Sequence, residues 1–187
     1  HLCRTNESFV QTINKSNLKE VKDRLKWAWN SQPQPHTTVF GLTEWMFELR
    51  DVSRSLTHQL VRHRTSWYLQ QSMRSVNPTE KPTIVPESVK DNGWGMAFEE
   101  HAKDLRTLYN LMIDDGVPKE DARFILPIAT TSNILMKIDG CNLIHFLNLR
   151  THVSAQWEIR ELAEKMYELV KEKAPNMFSE EYKEYWY

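Results

Sequence analysis

Residues 59–74 read Gln-Leu-Val-Arg-His-Arg-Thr-Ser-Trp-Tyr-Leu-Gln-Gln-Ser-Met-Arg, and they form the densest chemical signal in the chain. Three arginines and one histidine fall between Arg62 and Arg74, among hydroxyl and amide side chains. A guanidinium is a planar fork that binds a phosphate or a carbonyl edge through two hydrogen bonds. The stretch therefore predicts a site for a phosphorylated ligand. The simpler alternative is a solvated basic surface.

The bulk composition narrows the possible functions. The 187 residues include 24 Lys and Arg against 25 Asp and Glu, for a net charge of -1, whereas a general nucleic-acid binder is usually basic. No apolar run reaches the roughly 20 residues of a membrane span. Cys3 and Cys141 lie far apart, so we expect neither a disulfide framework nor a metal site, and a reducing cytoplasm is the default location.

The length predicts one domain that spans residues 1–187, or one protomer of an oligomer. Because the chain begins with His1 rather than Met, we expect that a short native N-terminal segment precedes it. Its five glycines form neither a GxGxxG turn nor a P-loop, so any nucleotide cofactor is held in another way.

Hydrophobic periodicity predicts more helices than strands. The strands are expected at 43–52 and 128–138, and residues 65–87 read as a loop with short extended pieces. The expected helices cover residues 17–29, 53–62, 94–115, 118–124, 142–149 and 155–173. This pattern predicts an α+β fold with a central, mainly antiparallel sheet flanked by helices.

Several helix details are specific enough to test. Ser53 is expected to cap the second helix, and Gly116 is expected to end the long third one. The buried side of that third helix is predicted to hold Met96, Leu105, Leu108, Tyr109 and Met112. The last helix is predicted to bury Ile159, Leu162, Met166 and Leu169. The aromatic tail to Tyr187 is expected to pack on a neighbouring subunit.

The arginine cluster also resembles a known signature. Arg62-His63-Arg64, seven further residues and Ser72-Met73-Arg74 resemble the RHR-x7-S-x-R motif of the flavin-dependent thymidylate synthases, the ThyX family. Further blocks resemble the same family in the same order, and together they cover about residues 36–175. These blocks are residues 36–40, 47–49, 52–61, 122–127, 146–150 and 155–160.

The resemblance implies an enzyme that methylates dUMP to dTMP. It implies FAD as cofactor, NADPH and 5,10-methylenetetrahydrofolate as co-substrates, and a homotetramer with shared active sites. The family is thought to use no protein nucleophile, which agrees with the distance of both cysteines from the signature in the sequence. Neither nucleic acid nor a membrane is an expected partner.

The resemblance also implies which residues contact dUMP. Arg74 suits the phosphate dianion, and Arg150 would lie against the uracil ring, where a guanidinium polarises a carbonyl. Arg150 and Ser72 are the expected catalytic residues. Arg123 could instead satisfy carbonyls at a helix end, and Arg150 could form a salt bridge with a nearby glutamate. The full dUMP set is Gln59, Arg62, Gln70, Gln71, Ser72, Met73, Arg74, Arg123 and Arg150.

A second set is implied for FAD, with His36 beside the flavin and the folate. Thr38 could meet the cofactor phosphates or simply pack in a strand. His145 could face the flavin or be a satisfied, partly buried histidine, and His36 could simply be exposed. The full FAD set is Thr38, Arg62, His63, Arg64, Thr65, Gln70 and His145.

Four positions depart from the family pattern. Gly41 stands where the family usually has Glu, and Ser75 replaces the usual Tyr. Asp139 and Cys141 stand where Asn and Arg commonly help to hold FAD. These departures leave the dUMP residues unchanged and alter the expected surroundings of FAD.

Two other functions remain open at this stage. One is a related enzyme that modifies another pyrimidine nucleotide, against which Gln59 and Arg150 argue as uracil-reading residues. The other is a non-catalytic module that binds nucleotides or nucleic acid through a phosphate patch. The net charge and the lack of exposed aromatics expected within the cluster argue against that module.

Overall fold

The computed structural model describes residues 36–178, together with Asp23, Lys26, residues 28–30, Glu180 and Lys183. The chain divides into two compact units. The terminal unit consists of His1–Trp45 and Asp139–Tyr187, and the middle unit is Met46–Ile138. Among the described residues, no helix is both long and apolar enough to cross a membrane.

Helices and strands mix in the way that the α+β prediction requires, and that fold class is confirmed. A 3-10 helix at Thr37–Leu42 precedes the first strand. The three strands are β1 (Glu44–Ser53), β2 (Trp67–Gln70) and β3 (Thr131–Asp139). The helices are α1 (Arg54–Leu60), α2 (Glu87–Asp91), α3 (Gly95–Asp114), α4 (Lys119–Ala122), α5 (Gly140–Thr151) and α6 (Trp157–Lys173). Of the predicted first helix, residues 17–22, 24, 25 and 27 lie outside the described part, whereas Asp23, Lys26 and residues 28–29 are helical.

The three strands form one sheet in the order β1-β3-β2. β2 and β3 pair antiparallel, with Trp67 opposite Lys137 and Gln70 opposite Ile134. The predicted strand at 43–52 is confirmed as β1. Its alternating burial stops at Asp51, whose φ of 51° lies in the left-handed region.

The Ser53 cap is confirmed, because its Oγ accepts a hydrogen bond of 2.9 Å from the Leu56 N–H. Helix α1 ends at Leu60, two residues earlier than predicted. The amides of Arg62 and His63 donate three residues back, so the chain tightens into a turn there. The second predicted strand begins at Thr131 rather than residue 128, because the Ile128 carbonyl accepts from the amide of Ser55.

The long helix α3 and its end at Gly116, with a φ of 87°, are confirmed. The predicted burial of Met96 and Leu108 is wrong, because these side chains are 86% and 43% exposed. The buried positions are Ala102 and Tyr109, seven residues apart. These two residues lie two helical turns apart on one face of α3. The middle unit therefore buries a narrower stripe of this helix than its apolar pattern predicts.

Helix α6 buries Ile159 and Met166 as predicted, but Leu169 is 54% exposed and that prediction is wrong. Val170, the next residue, is buried in its place. Farther on, Phe178 is buried within the terminal unit and meets Trp45 edge-to-face, with ring centroids 5.4 Å apart. The start of the tail therefore packs on its own chain, and residues 184–187 lie outside the described part.

Gly140 begins α5 where three groups converge. A Cβ at this position would lie 2.2 Å from Met177 Cε, 2.3 Å from Thr43 Oγ1 and 2.6 Å from the Phe40 carbonyl oxygen. We predict that Gly140→Ala destabilises the protein by about 1 to 3 kcal/mol, because a well-packed region must shift. Gly41→Ala is the matched control, since its nearest contacts are 3.9 Å away. Urea unfolding measures both, and equal stabilities would contradict the packing.

The C-terminal segment is held to α6 through Glu180. Its carboxylate accepts hydrogen bonds from Lys171, Lys183 and the Tyr167 hydroxyl, at 2.9 to 3.0 Å. The bonds from Lys171 and then Lys183 lower the pKa of Glu180 from 4.5 to about 2. Because the pKa is lower in the folded state, the ionised carboxylate stabilises the fold above pH 4.5. That contribution disappears as the pH falls from 4.5 to about 2.

We therefore predict that Glu180→Gln lowers stability at pH 7 by no more than about 1 kcal/mol, since the group is largely exposed. The difference from the unsubstituted protein should vanish as the pH approaches 2. Melting temperatures between pH 7 and pH 2 test this, with Glu164→Gln on α6 as the control. A difference that grows on acidification would contradict the assignment.

Candidate functional site

The signature segment, residues 59–74, lies in the middle unit and runs from the end of α1 through a turn into β2. The Tyr68 hydroxyl lies 2.8 Å from the carbonyl oxygen of Leu60 and 3.2 Å from that of His63. One phenol on β2 is thus bonded to the turn that carries the cationic side chains. The turn is held by backbone acceptors and leaves the cationic side chains to face outwards.

The cationic side chains of the signature segment are accessible. Arg62, Arg64 and Arg74 are exposed and His63 is half-buried, while Thr65 beside them is also exposed. Guanidinium N–H groups that reach solvent can bind the oxygens of a phosphate or diphosphate. The arrangement therefore fits the anion-binding role predicted from the sequence.

The amide side chains at the end of β2 are more constrained. Gln70 Nε2 donates to Thr57 Oγ1 at 3.2 Å, which ties the strand to α1. The backbone N–H of Gln71 donates to the Asn133 carbonyl at 2.9 Å, and Ser132 Oγ lies 3.5 Å from the Gln71 carbonyl. Gln59, also predicted, is half-buried on α1. These contacts fix where the backbone leaves the sheet before Ser72.

Beyond β2, an open cavity of about 520 Å³ has a polar lining. Arg74 NH2 lies 3.1 Å from Glu120 Oε2, and Ser72 Oγ accepts from the Arg74 N–H at 3.2 Å. Met73 packs on the buried cluster around Tyr109, so its side chain anchors the segment. The cavity is lined by Ser72, Arg74, Ser75, Pro118, Lys119 and Glu120.

Arg123 lies three residues after Glu120, which lines this cavity, and it contacts Glu120. Its Nε donates to the Glu120 carbonyl at 3.1 Å, which is the helix-end contact considered as the alternative. A guanidinium has five donors, so this one bond leaves capacity for a phosphate. Burial, and then the positive charge of Arg123, lower the pKa of Arg54. Two cations close enough to repel each other favour an anion nearby.

Arg54 and Lys119 also belong to this positively charged region, although the sequence patterns did not indicate them. Arg54 could have been noticed because it follows the Ser53 cap directly, which places it in the first turn of α1. Lys119 has no signal of its own in the sequence. Only the fold shows that it lines the same cavity as Ser72.

The other predicted residues lie in the terminal unit. Thr38 is exposed in a 3-10 helix rather than packed in a strand, so that alternative is wrong. His36 is half-buried and its backbone N–H donates to the Ala28 carbonyl at 2.7 Å. On α5, His145 is exposed and Arg150 is half-buried. Arg150 follows His145 by five positions, so the two side chains project about 140° apart around the helix axis.

Three of the four departures from the family pattern adjoin one another in this unit. A Cβ on Gly41 would lie 3.9 Å from both Asp139 Oδ1 and Cys141 Cβ. Asp139 caps α5, because its Oδ1 accepts from the Asn142 N–H at 3.0 Å. The acid thus has a structural role in the cap. Within the described residues, no group of three or more His, Cys, Asp or Glu side chains could hold a metal ion.

Comparison with known proteins adds to this geometry. The family described as thymidylate synthase complementing protein matches residues 1–176. The chain belongs to that family. This confirms the resemblance that the signature segment and its flanking blocks suggested.

Individual relatives agree with the family match. A protein of Geobacter sulfurreducens is 42% identical over 146 residues, which cover 76% of this chain and 63% of that protein. One of Saccharolobus solfataricus is 39% identical over 155 residues, covering 81% and 59%. One of Pyrococcus furiosus is 39% identical over 138 residues, covering 71% and 57%. Each is named flavin-dependent thymidylate synthase, and this chain spans about 60% of their length.

The role of Tyr68 can be tested by removing its hydroxyl. We predict that Tyr68→Phe costs about 1 kcal/mol of stability, the usual value for one hydrogen bond. Amide hydrogen exchange should also become faster at residues 61–66, since the turn loses its link to β2. Trp67→Phe, which shortens the exposed neighbouring side chain, is the control. Unchanged exchange in Tyr68→Phe would mean that other contacts hold the turn.

Proposed function

We propose that this chain acts as a flavin-dependent thymidylate synthase and methylates dUMP to dTMP. The observation that carries the proposal is the polar cavity that Ser72 and the accessible Arg74 line together, in a chain of this family. The names of the relatives support the same reaction. Because the chain covers only part of their length, the activity is a proposal for this protein.

For the nucleotide, Arg74 and Arg123 bind the phosphate of dUMP and Ser72 positions it. A dianion suits two guanidinium groups with a neighbouring hydroxyl. Gln59, Gln70 and Gln71 supply amides for the sugar and the base edge. Arg62 adds a cation on the same segment, and Met73 contributes through its backbone because its side chain is packed.

For catalysis, Arg150 binds the uracil carbonyl. A guanidinium at that oxygen stabilises negative charge that develops on the ring and so favours transfer to C5. Ser72 acts by holding the nucleotide in register with the one-carbon donor. Positioning of this kind contributes to rate without a covalent bond to the protein.

For the cofactor, the donors of Arg62, His63, Arg64 and Thr65 fit a diphosphate because they are accessible and adjacent. We propose that they hold FAD, with further contacts from Gln70, Thr38 and His145. When bound, the flavin supplies the reducing equivalents that originate from NADPH. His36 is proposed to contact 5,10-methylenetetrahydrofolate. The proposed location of the protein is the cytoplasm.

We also propose that the protein is a homotetramer with shared active sites. Leu69 on β2 lies directly opposite Leu135 on β3, and their exposed fractions are 71% and 36%. Trp67, on the same face of β2, is 78% exposed, so the expectation of no exposed aromatics in the signature segment is wrong. Neighbouring apolar side chains of this size on one sheet face are typical of a protein interface. Sedimentation of the full chain in solution measures this oligomeric state.

A mass-spectrometric product assay tests the function. The full chain is incubated anaerobically with FAD, NADPH, methylenetetrahydrofolate and equal amounts of dUMP and dCMP. We predict that dTMP forms only when both FAD and NADPH are present. Gain of mass on dCMP alone would identify a related enzyme for another pyrimidine, and no product with either would favour a binding module.

Substitutions then locate the site. Arg150→Ala should abolish dTMP formation, and Arg74→Ala should lower kcat/KM about 10- to 100-fold, mainly through KM, because a charged hydrogen bond is lost. Arg50→Ala is the matched control, since Arg50 is an exposed arginine paired with Glu48 on β1. Similar losses in all three variants would show that the effect is not specific to the site.

A further inference from the structure

Glu120 contacts both arginines that are proposed to bind the phosphate. Its carboxylate Oε2 lies 3.1 Å from Arg74 NH2, and its backbone carbonyl accepts from Arg123 Nε at 3.1 Å. The same residue lines the cavity with Ser72 and Ser75. An anionic oxygen of the protein itself therefore occupies a position that a phosphoryl oxygen would take.

A carboxylate and a phosphate bind a guanidinium through the same N–H groups. They therefore compete for Arg74 rather than adding to each other. The side chains of Arg74 and Glu120 are 59% and 50% exposed, so water and salt weaken their attraction. A ligand with two negative charges can displace such a pair, whereas an uncharged ligand gains nothing from doing so.

We propose that the Glu120 carboxylate limits the affinity of this cavity, because it competes with the ligand's phosphoryl group for Arg74. This inference rests on the proposed function of the cavity. Glu120 lowers the affinity for every ligand that carries the phosphate and leaves the affinity for the bare nucleoside unchanged.

The chain offers a conservative test of this competition. Glu120→Gln removes the charge, keeps the shape and retains the backbone carbonyl that Arg123 uses. Asp121→Asn removes the same charge from the neighbouring exposed position and controls for the general field. Thermal unfolding of both variants checks that the fold is intact. Glu120→Ala is the second test variant, in case the side-chain amide introduced by Glu120→Gln itself binds Arg74.

Calorimetric titration of the full chain uses dUMP, deoxyuridine and inorganic phosphate as separate probes. We predict that Glu120→Gln tightens the binding of dUMP and of phosphate about threefold to tenfold, with deoxyuridine unchanged. Asp121→Asn should change the affinity for dUMP less than twofold. A comparison of the affinities for phosphate and for dUMP distinguishes recognition of the anion from recognition of the nucleotide.

Weaker or unchanged binding in both Glu120 variants would overturn the inference, as would an equal effect of Asp121→Asn. Formation of dTMP by the unsubstituted protein, with no change on Glu120 substitution, would overturn the competition alone. Tighter phosphate binding without any binding of dUMP would support the competition and overturn the proposed function. No binding of either anion by any variant would overturn both.

Discussion

Four residue pairs join β2 to the central strand β3, from Trp67 opposite Lys137 to Gln70 opposite Ile134. This short ladder decides where the signature segment lies. At one end of β2 the Tyr68 hydroxyl is bonded to the turn after α1, and at the other the Gln71 amide donates to Asn133. Because these contacts are made by the Tyr68 hydroxyl and by backbone groups, they do not use the side chains of Arg62, Arg64 and Arg74.

The same arrangement explains how a protein of nearly neutral net charge can present a site for anions. The net charge is -1, yet cations gather locally: burial, and then the charge of nearby Arg123, lower the pKa of Arg54. Arg74 and Lys119 line the adjoining cavity. Local concentration of cations gives affinity for a small phosphorylated ligand, whereas the neutral overall charge disfavours extended nucleic acid. Glu120 limits that affinity by supplying an internal counter-ion.

Sequence patterns predicted the parts of this fold that depend on neighbours along the chain. The Ser53 cap and the alternation of β1 follow from local chemistry, and both were correct. The exposure of Met96 and Leu169 was not predictable, because an amphipathic pattern does not reveal how wide a stripe the rest of the unit covers. In the site, the motif indicated Arg74 and Ser72, but tertiary packing alone brings Glu120 from α4 to meet them.

In the proposed function, the signature segment binds dUMP with its phosphate at Arg74. A crystal structure of the full chain grown with dUMP tests this most directly. We expect phosphate oxygens within hydrogen-bond distance, about 2.7–3.2 Å, of Ser72 and Arg74, with the Glu120 carboxylate moved away. Nucleotide bound elsewhere, with Arg74 still paired to Glu120, would contradict it.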